Sequence, residues 1–250
     1  MTALLVTLVA SAATPADVQG ALKTLNQHAV YPLAALSEAD LSKLTAGKVV
    51  KIRETAAADE PQRAIGMILT PHSRDAVWVA ARTEEGSYAS MSNLVLPHPG
   101  EGERWYQHMN VPFPFTDRHW VIDVWDNASL ADGPCWEHPW RLAPDGYDAA
   151  RAAVVAGKVD SLSKKEFDGA LKVPVNNGAW VACQVGGETL LVFHAQSVVG
   201  GSVPDRLVVD FTMMTLGKLM RGVEGRAATA RSWYRGDVDG GDGVPIVLGD

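Results

Sequence analysis

The 250-residue sequence predicts an α+β fold, an antiparallel sheet with a long C-terminal helix either lying across it or gripped by its curve, with extra N-terminal helices and a helical insertion. Three observations point there. Branched and aromatic residues recur with period two in runs separated by Gly or Pro turns. Val209, Met213, Leu216, Met220 and Val223 follow alternating helical steps of four and three along the last long segment, from about Ser202 to Arg231. Capping signals cluster before residue 47 and again between residues 144 and 173.

Taken in order, residues 1–13 read as a signal peptide. An apolar run from Ala3 to Ala10 ends in Ala10-Ser11-Ala12, the small-x-small form that signal peptidase cuts. No Lys or Arg precedes the run, so an ordinary buried N-terminal helix is the competing reading. The run is too short to span a bilayer, and no later segment is long enough. The mature chain is therefore expected to hold no integral membrane segment and to be exported, periplasmic or secreted, if the leader is cleaved; otherwise it is cytoplasmic.

Residues 14–47 form an N-terminal helical segment. Thr14-Pro15-Ala16-Asp17 supplies a cap, a Pro at the first helical position and an acid at the third, with Val18, Leu22 and Leu25 behind them. Ser37 and Asp40 start a second short helix that stops at Gly47. "KVVKIRE" and "RAIGMIL" then read as two strands, and Thr70-Pro71 opens a helix with Val77, Trp78 and Ala81 on one side. "ERWYQHMNVPFPFTDRHWVIDVW" reads as a hairpin stiffened at its bend by Pro112 and Pro114, which cannot donate to a ladder. "PCWEHPWRL" is a further strand or irregular edge. Two short helices follow, over Asp148–Gly157 and Ser163–Leu171, and "GAWVACQV" with "TLLVFHAQSV" closes a hairpin across Gly186-Gly187. After Arg235 periodicity stops, so residues 234–250 read as a flexible, Asp/Gly-rich tail.

Composition narrows the function. The chain is 47% hydrophobic and 20% charged, as an ordinary globular protein is. A formal net charge of -7 opposes tight binding to nucleic acid or anionic lipid surfaces. No His pair has metal-ligand spacing, and Cys135 with His138 is only half a zinc pattern. A Gly-x-Ser-x-Gly elbow, a Walker loop and a dinucleotide fingerprint are missing, so no cofactor is expected. Cys135 and Cys183 read as two buried free thiols, one bridge between them being the alternative in an oxidising compartment.

"WYQHMNVPFPFTDRHWV", "VNNGAWV" and "ETLLVFHAQSVVGGSVPDRLV" before a terminal helix resemble the START-like branch of the SRPBCC (helix-grip) superfamily, bacterial type. Pro112, Pro114, Asp117, Arg118, Gly200, Gly201 and Pro204 match its pattern, and the resemblance covers about Lys48 to Arg231 within a domain spanning residues 48–233. The segment from Pro144 to Val173 exceeds the usual strand connection and is expected to displace or cap part of the sheet. The resemblance implies a helix-grip fold, with seven antiparallel strands around the long helix and a hydrophobic cavity between them. It implies a hydrophobic small-molecule partner, lipid or sterol-like, bound for transport or sensing. The alternative is a cofactor-free cyclase or dehydratase acting on a polyketide-like or aromatic substrate.

In such a cavity Leu207, Val208, Phe211 and Met214 of the helix are expected to form the floor. Trp120 and Phe193 would add apolar wall from the strands, and Tyr106 and His194 polar tips, since each joins an apolar body to one hydrogen-bonding end. Arg118 is a ligand clamp or, with Asp117, an ion pair fixing the turn. Alternation puts Tyr106 opposite to Trp105, and Phe193 opposite to His194, without saying which set points inward. The oligomeric state is left open.

Overall fold

The computed structural model describes residues 12–55, 61–83, 91–98, 100–159 and 162–249. The proposed leader run Ala3–Ala10 lies outside them. Helices α1 (Pro15–Asn26) and α2 (Glu38–Thr45) precede strands β1 (Val50–Glu54) and β2 (Arg63–Thr70) and helix α3 (Arg74–Arg82). Strands β3 (Met91–Leu96), β4 (Glu103–Met109), β5 (Arg118–Val124) and β6 (Cys135–Leu142) come next, then helices α4 (Tyr147–Val155) and α5 (Lys164–Gly169). Strands β7 (Leu171–Lys172), β8 (Val175–Val185) and β9 (Glu188–Val198) lead into α6 (Asp205–Ala228) and the short α7 (Ala230–Trp233).

Among the described residues nine strands join one sheet, in the order β1-β2-β9-β8-β6-β5-β4-β3, with two-residue β7 parallel to β5 and every other pairing antiparallel. This is two strands more than the seven expected. β3 pairs with β4 and was not foreseen, because its sequence MSNLVL alternates poorly. α3 is capped by the Ser73 side chain, which accepts from Ala76 N–H, rather than opened at Thr70-Pro71.

Both faces of the sheet carry helices. α6 and α3 lie on one, here called the inner face, with Ile68, Trp78, Trp136, Ala182, Leu191 and Met220 in one apolar cluster. On the outer face, α1 and α2 pack Val18, Leu25 and Leu44 against Met67, Val181 and Val192. At its other end α4 and α5 pack Tyr147, Val154 and Phe167 on Tyr106 and Val121. The insertion therefore caps the sheet. β5 is buried at every residue, under α4 and α5 on the outer face and among the side chains of neighbouring strands on the inner one.

Three expectations are corrected. Cys135 and Cys183 sit directly opposite each other on β6 and β8 and form a disulfide, not free thiols. The 234–250 tail is not loose: Ile246 is buried, Asp239 O accepts from Trp78 Nε1 at 3.0 Å, and Gly240 and Gly241 lie against the Trp136 ring. Asp117 and Arg118 do not pair with each other. Asp117 accepts from Val111 N–H at 2.9 Å, whereas Arg118 donates to the carbonyls of Thr116, Val199 and Gly200. Gly200 and Gly201, at φ 68° and 71°, form the turn it grips, a conformation that costs Gly nothing.

Candidate functional site

α6 sits at one side of the inner face. Arg53 of β1 pairs with Asp210, and Lys51 Nζ donates to Met213 O, so that flank of the helix is tied to the sheet edge. Val209, Leu216, Met220 and Val223 are buried beneath it, against β2. Gly66 makes the close approach: a Cβ there would stand 3.0 Å from Leu216 Cδ2 and 3.2 Å from Met220 Cγ. Val208, Thr212, Thr215 and Leu219 lie about 100° round the helix from the Val209 stripe on the side away from Asp210, on the flank turned toward the rest of the sheet.

That remaining inner surface, on β4, β5, β6, β8 and β9, is aromatic and incompletely covered. On β4 the outward residues Arg104, Tyr106 and His108 are buried, whereas the inward Trp105, Gln107 and Met109 are half-exposed. The same holds for Trp140, Leu142, Trp180 and Phe193. Phe193 bridges Trp180 and Trp140 with ring centroids 4.6 and 5.7 Å away. Gly178, where a side chain would meet the Trp140 ring, keeps this wall flat. Three of its indole N–H groups are satisfied locally: Trp105 donates to Glu103 at 2.9 Å, Trp120 to Gln107 at 2.6 Å and Trp140 to Asn176 at 3.0 Å. The result is a half-exposed, mostly apolar wall beside the α6 flank, with three of its indole donors already bonded.

Of the nine residues singled out from sequence, Trp120 and Phe193 lie on this inner wall and Val208 on the facing helix flank. Arg118 is on the inner face, but its guanidinium is spent on carbonyls at the end of that wall. Leu207, Phe211 and Met214 do not floor a cavity; they are 57%, 60% and 74% exposed on the back of α6, because the buried stripe is the one through Val209. Tyr106 and His194 point to the outer face and are fully buried there. Tyr106 OH lies 3.3 Å from His119 Nδ1, and burial pushes its phenol well above the ordinary range. His194 stands edge-on to Tyr31, and burial, then Arg63, holds it down to about 3. Tyr106, His194 and Arg118 therefore converge on nothing, and the cyclase reading loses the groups it would use.

Two surface hollows lie elsewhere. One of about 240 Å³ on the outer face is bordered by Tyr31, Pro32 and Arg63, whose guanidinium is occupied by Glu54 and the Tyr31 and Pro32 carbonyls. Another of about 490 Å³ separates the start of α3 from the end of α6 and the tail. Neither offers a continuous aromatic wall.

No protein-family model and no curated protein matches the sequence. Solved structures do match: a STAR-related lipid transfer protein from Xanthomonas axonopodis at 16% identity and TM-score 0.53, covering 78% of this chain and 97% of that one. The chain has the START-like helix-grip fold. Human STARD10 aligns with TM-score 0.56 and 11% identity over 86% of this chain and 81% of its own. Human StAR-related lipid transfer protein 5 aligns with TM-score 0.52 and 11% identity over 86% and 95%. At such identity the START-like likeness concerns the backbone, and the residues of the wall have to be argued on their own chemistry.

The polar group sequence reasoning missed on the inner face is His138, between Trp136 and Trp140 on β6. Alternation along "CWEHPWRL" places it with those tryptophans, and this was the available signal.

Proposed function

We propose that this protein binds a hydrophobic small molecule in the groove between α6 and the inner face of the sheet, for transport or sensing. The half-exposed aromatic wall carries the reading. Apolar surface left uncovered on the face that elsewhere packs a helix is surface that a guest can remove from water, at about 25 cal/mol per Å². Since the indole donors of Trp105, Trp120 and Trp140 are already bonded, a guest without polar groups loses nothing by lying on those three. The likeness to lipid transfer proteins supports the same reading.

Native mass spectrometry of the purified chain, with titration of its tryptophan fluorescence by apolar probes, tests the proposal. A retained or titrating apolar guest is expected, with affinity reduced about tenfold or more in Phe193→Ala. Unchanged fluorescence and no adduct would remove the reading.

We also propose export. The Cys135–Cys183 disulfide supports it, since such bridges persist in oxidising compartments. Ala13 N donates to Glu188 Oε2 at 2.8 Å; a cut directly after Ala10-Ser11-Ala12, one residue before the end of the 1–13 segment, would place an ammonium there, against the carboxylate. Intact mass and N-terminal sequencing of the secreted fraction check this, a chain retaining Met1 being the contrary result.

A further inference from the structure

His138 lies at the end of the groove remote from the first turn of α6. Trp125 N–H to Pro139 O and Asn127 N–H to Glu137 O, at 3.2 and 2.9 Å, extend the β5–β6 pairing and set Asp126 beside it. His138 Nδ1 is 2.7 Å from Asp126 Oδ1, and Asp126 Oδ2 is 2.9 Å from Arg82 of α3. The Trp78 ring stands edge-on at 6.1 Å, and Trp180 is the β8 neighbour in register. The imidazole is thus held on an aromatic floor by a carboxylate that is itself clamped by a guanidinium.

This arrangement decides the tautomer. Burial holds the ring below its ordinary pKa, and Arg82 acts in the same direction, against the opposing pull of Asp126 and Glu103. The ring is neutral at pH 7, its one proton sits on Nδ1 facing the Asp126 carboxylate, and Nε2 keeps a lone pair. Among the described residues nothing bonds to Nε2. It is an acceptor at the end of an apolar groove, and only a donor satisfies it.

We propose that the guest is an apolar alcohol, whose hydroxyl donates to His138 Nε2 while its hydrocarbon body lies along the tryptophan wall. An ether or ester of the same shape would leave that lone pair unpaired, and an ionised carboxylate would meet it and Asp126 with the wrong charge. This rests on the groove being the binding site, and the experiment separates the two.

The full chain is titrated at pH 7.5 with nonan-1-ol, methyl nonyl ether and nonanoate, following tryptophan fluorescence. The alcohol is expected to bind about tenfold more tightly than the ether, and nonanoate more weakly than either. His138→Phe should keep the ether affinity and lose the preference. Asp126→Asn, which frees the ring to take either tautomer, should reduce the preference while leaving ether binding within about twofold. Ether and alcohol binding equally to the unaltered chain, or a preference that survives in His138→Phe, would overturn the alcohol assignment and leave the groove standing. If none of the three compounds binds the unaltered chain, both readings fall. The comparison within the unaltered chain decides the matter even where a variant does not fold.

Discussion

Gly66 sets how near α6 comes to the sheet, because two side chains of the helix already occupy the space its Cβ would need. Gly66→Ala should therefore lower stability by about 1–3 kcal/mol, read from urea unfolding, although Ala suits a strand better than Gly. A change within error would mean that Leu216 and Met220 move aside freely. The histidines of the outer face make a second residue-scale case. Burial holds His119 down to about 4 and His194 to about 3, and it lowers His108 as well. In the unfolded chain these rings titrate near 6.5, so as pH falls below that value the unfolded state takes up protons that the folded state refuses. Their neutral forms thus contribute full stability above about pH 6.5, and it is lost progressively toward pH 4 and below. Urea midpoints at pH 7.5 and 4.5 should show this drop, and His194→Leu should make it smaller. An equal drop in the variant would place the acid sensitivity elsewhere.

At the scale of elements, two ties hold strands that sequence alone leaves independent. The Cys135–Cys183 bridge joins β6 to β8 across a sequence separation of 48 residues. Its loss in a Cys135→Ala, Cys183→Ala double variant should cost about 2–4 kcal/mol, mainly by freeing the unfolded chain. Identical unfolding curves with and without reductant in the unaltered protein would contradict the bridge. The second tie is Arg118, which links the β4–β5 bend to the β9–α6 turn through three carbonyls. Arg118→Lys keeps the charge and loses the fork of donors, so it should destabilise that end by about 1–3 kcal/mol. Hydrogen exchange would show it as faster exchange confined to the β5 start and the first turn of α6. The elements themselves were largely legible, since α1, α2, α5 and the β8–β9 hairpin announce themselves by caps, period and turn residues. β3 was not, because its alternation is weak and its partner supplies the order.

For the whole molecule, the arrangement is a sheet between two helical layers, and this explains which parts of the candidate site could be read in advance. Alternation correctly divided Tyr106 from Trp105 and His194 from Phe193. It could not say which set was inward, because helices cover both faces and each set is apolar enough to be core. In the same way the helical wheel found the Val209 stripe, while Leu207, Phe211 and Met214 were expected to floor the cavity. Only packing on β2 decided that the stripe is buried and those three residues are in water.

The sequence by itself determined most of the order of elements, the long last helix, and the residues able to alternate, cap and turn, since these depend on spacing and local backbone chemistry. Tertiary structure alone decided which face carries the half-exposed wall, that Cys135 and Cys183 meet, that the tail docks, and that Asp126 and Arg82 hold His138. Those outcomes depend on contacts between residues far apart in the chain, whose free energy no local pattern encodes.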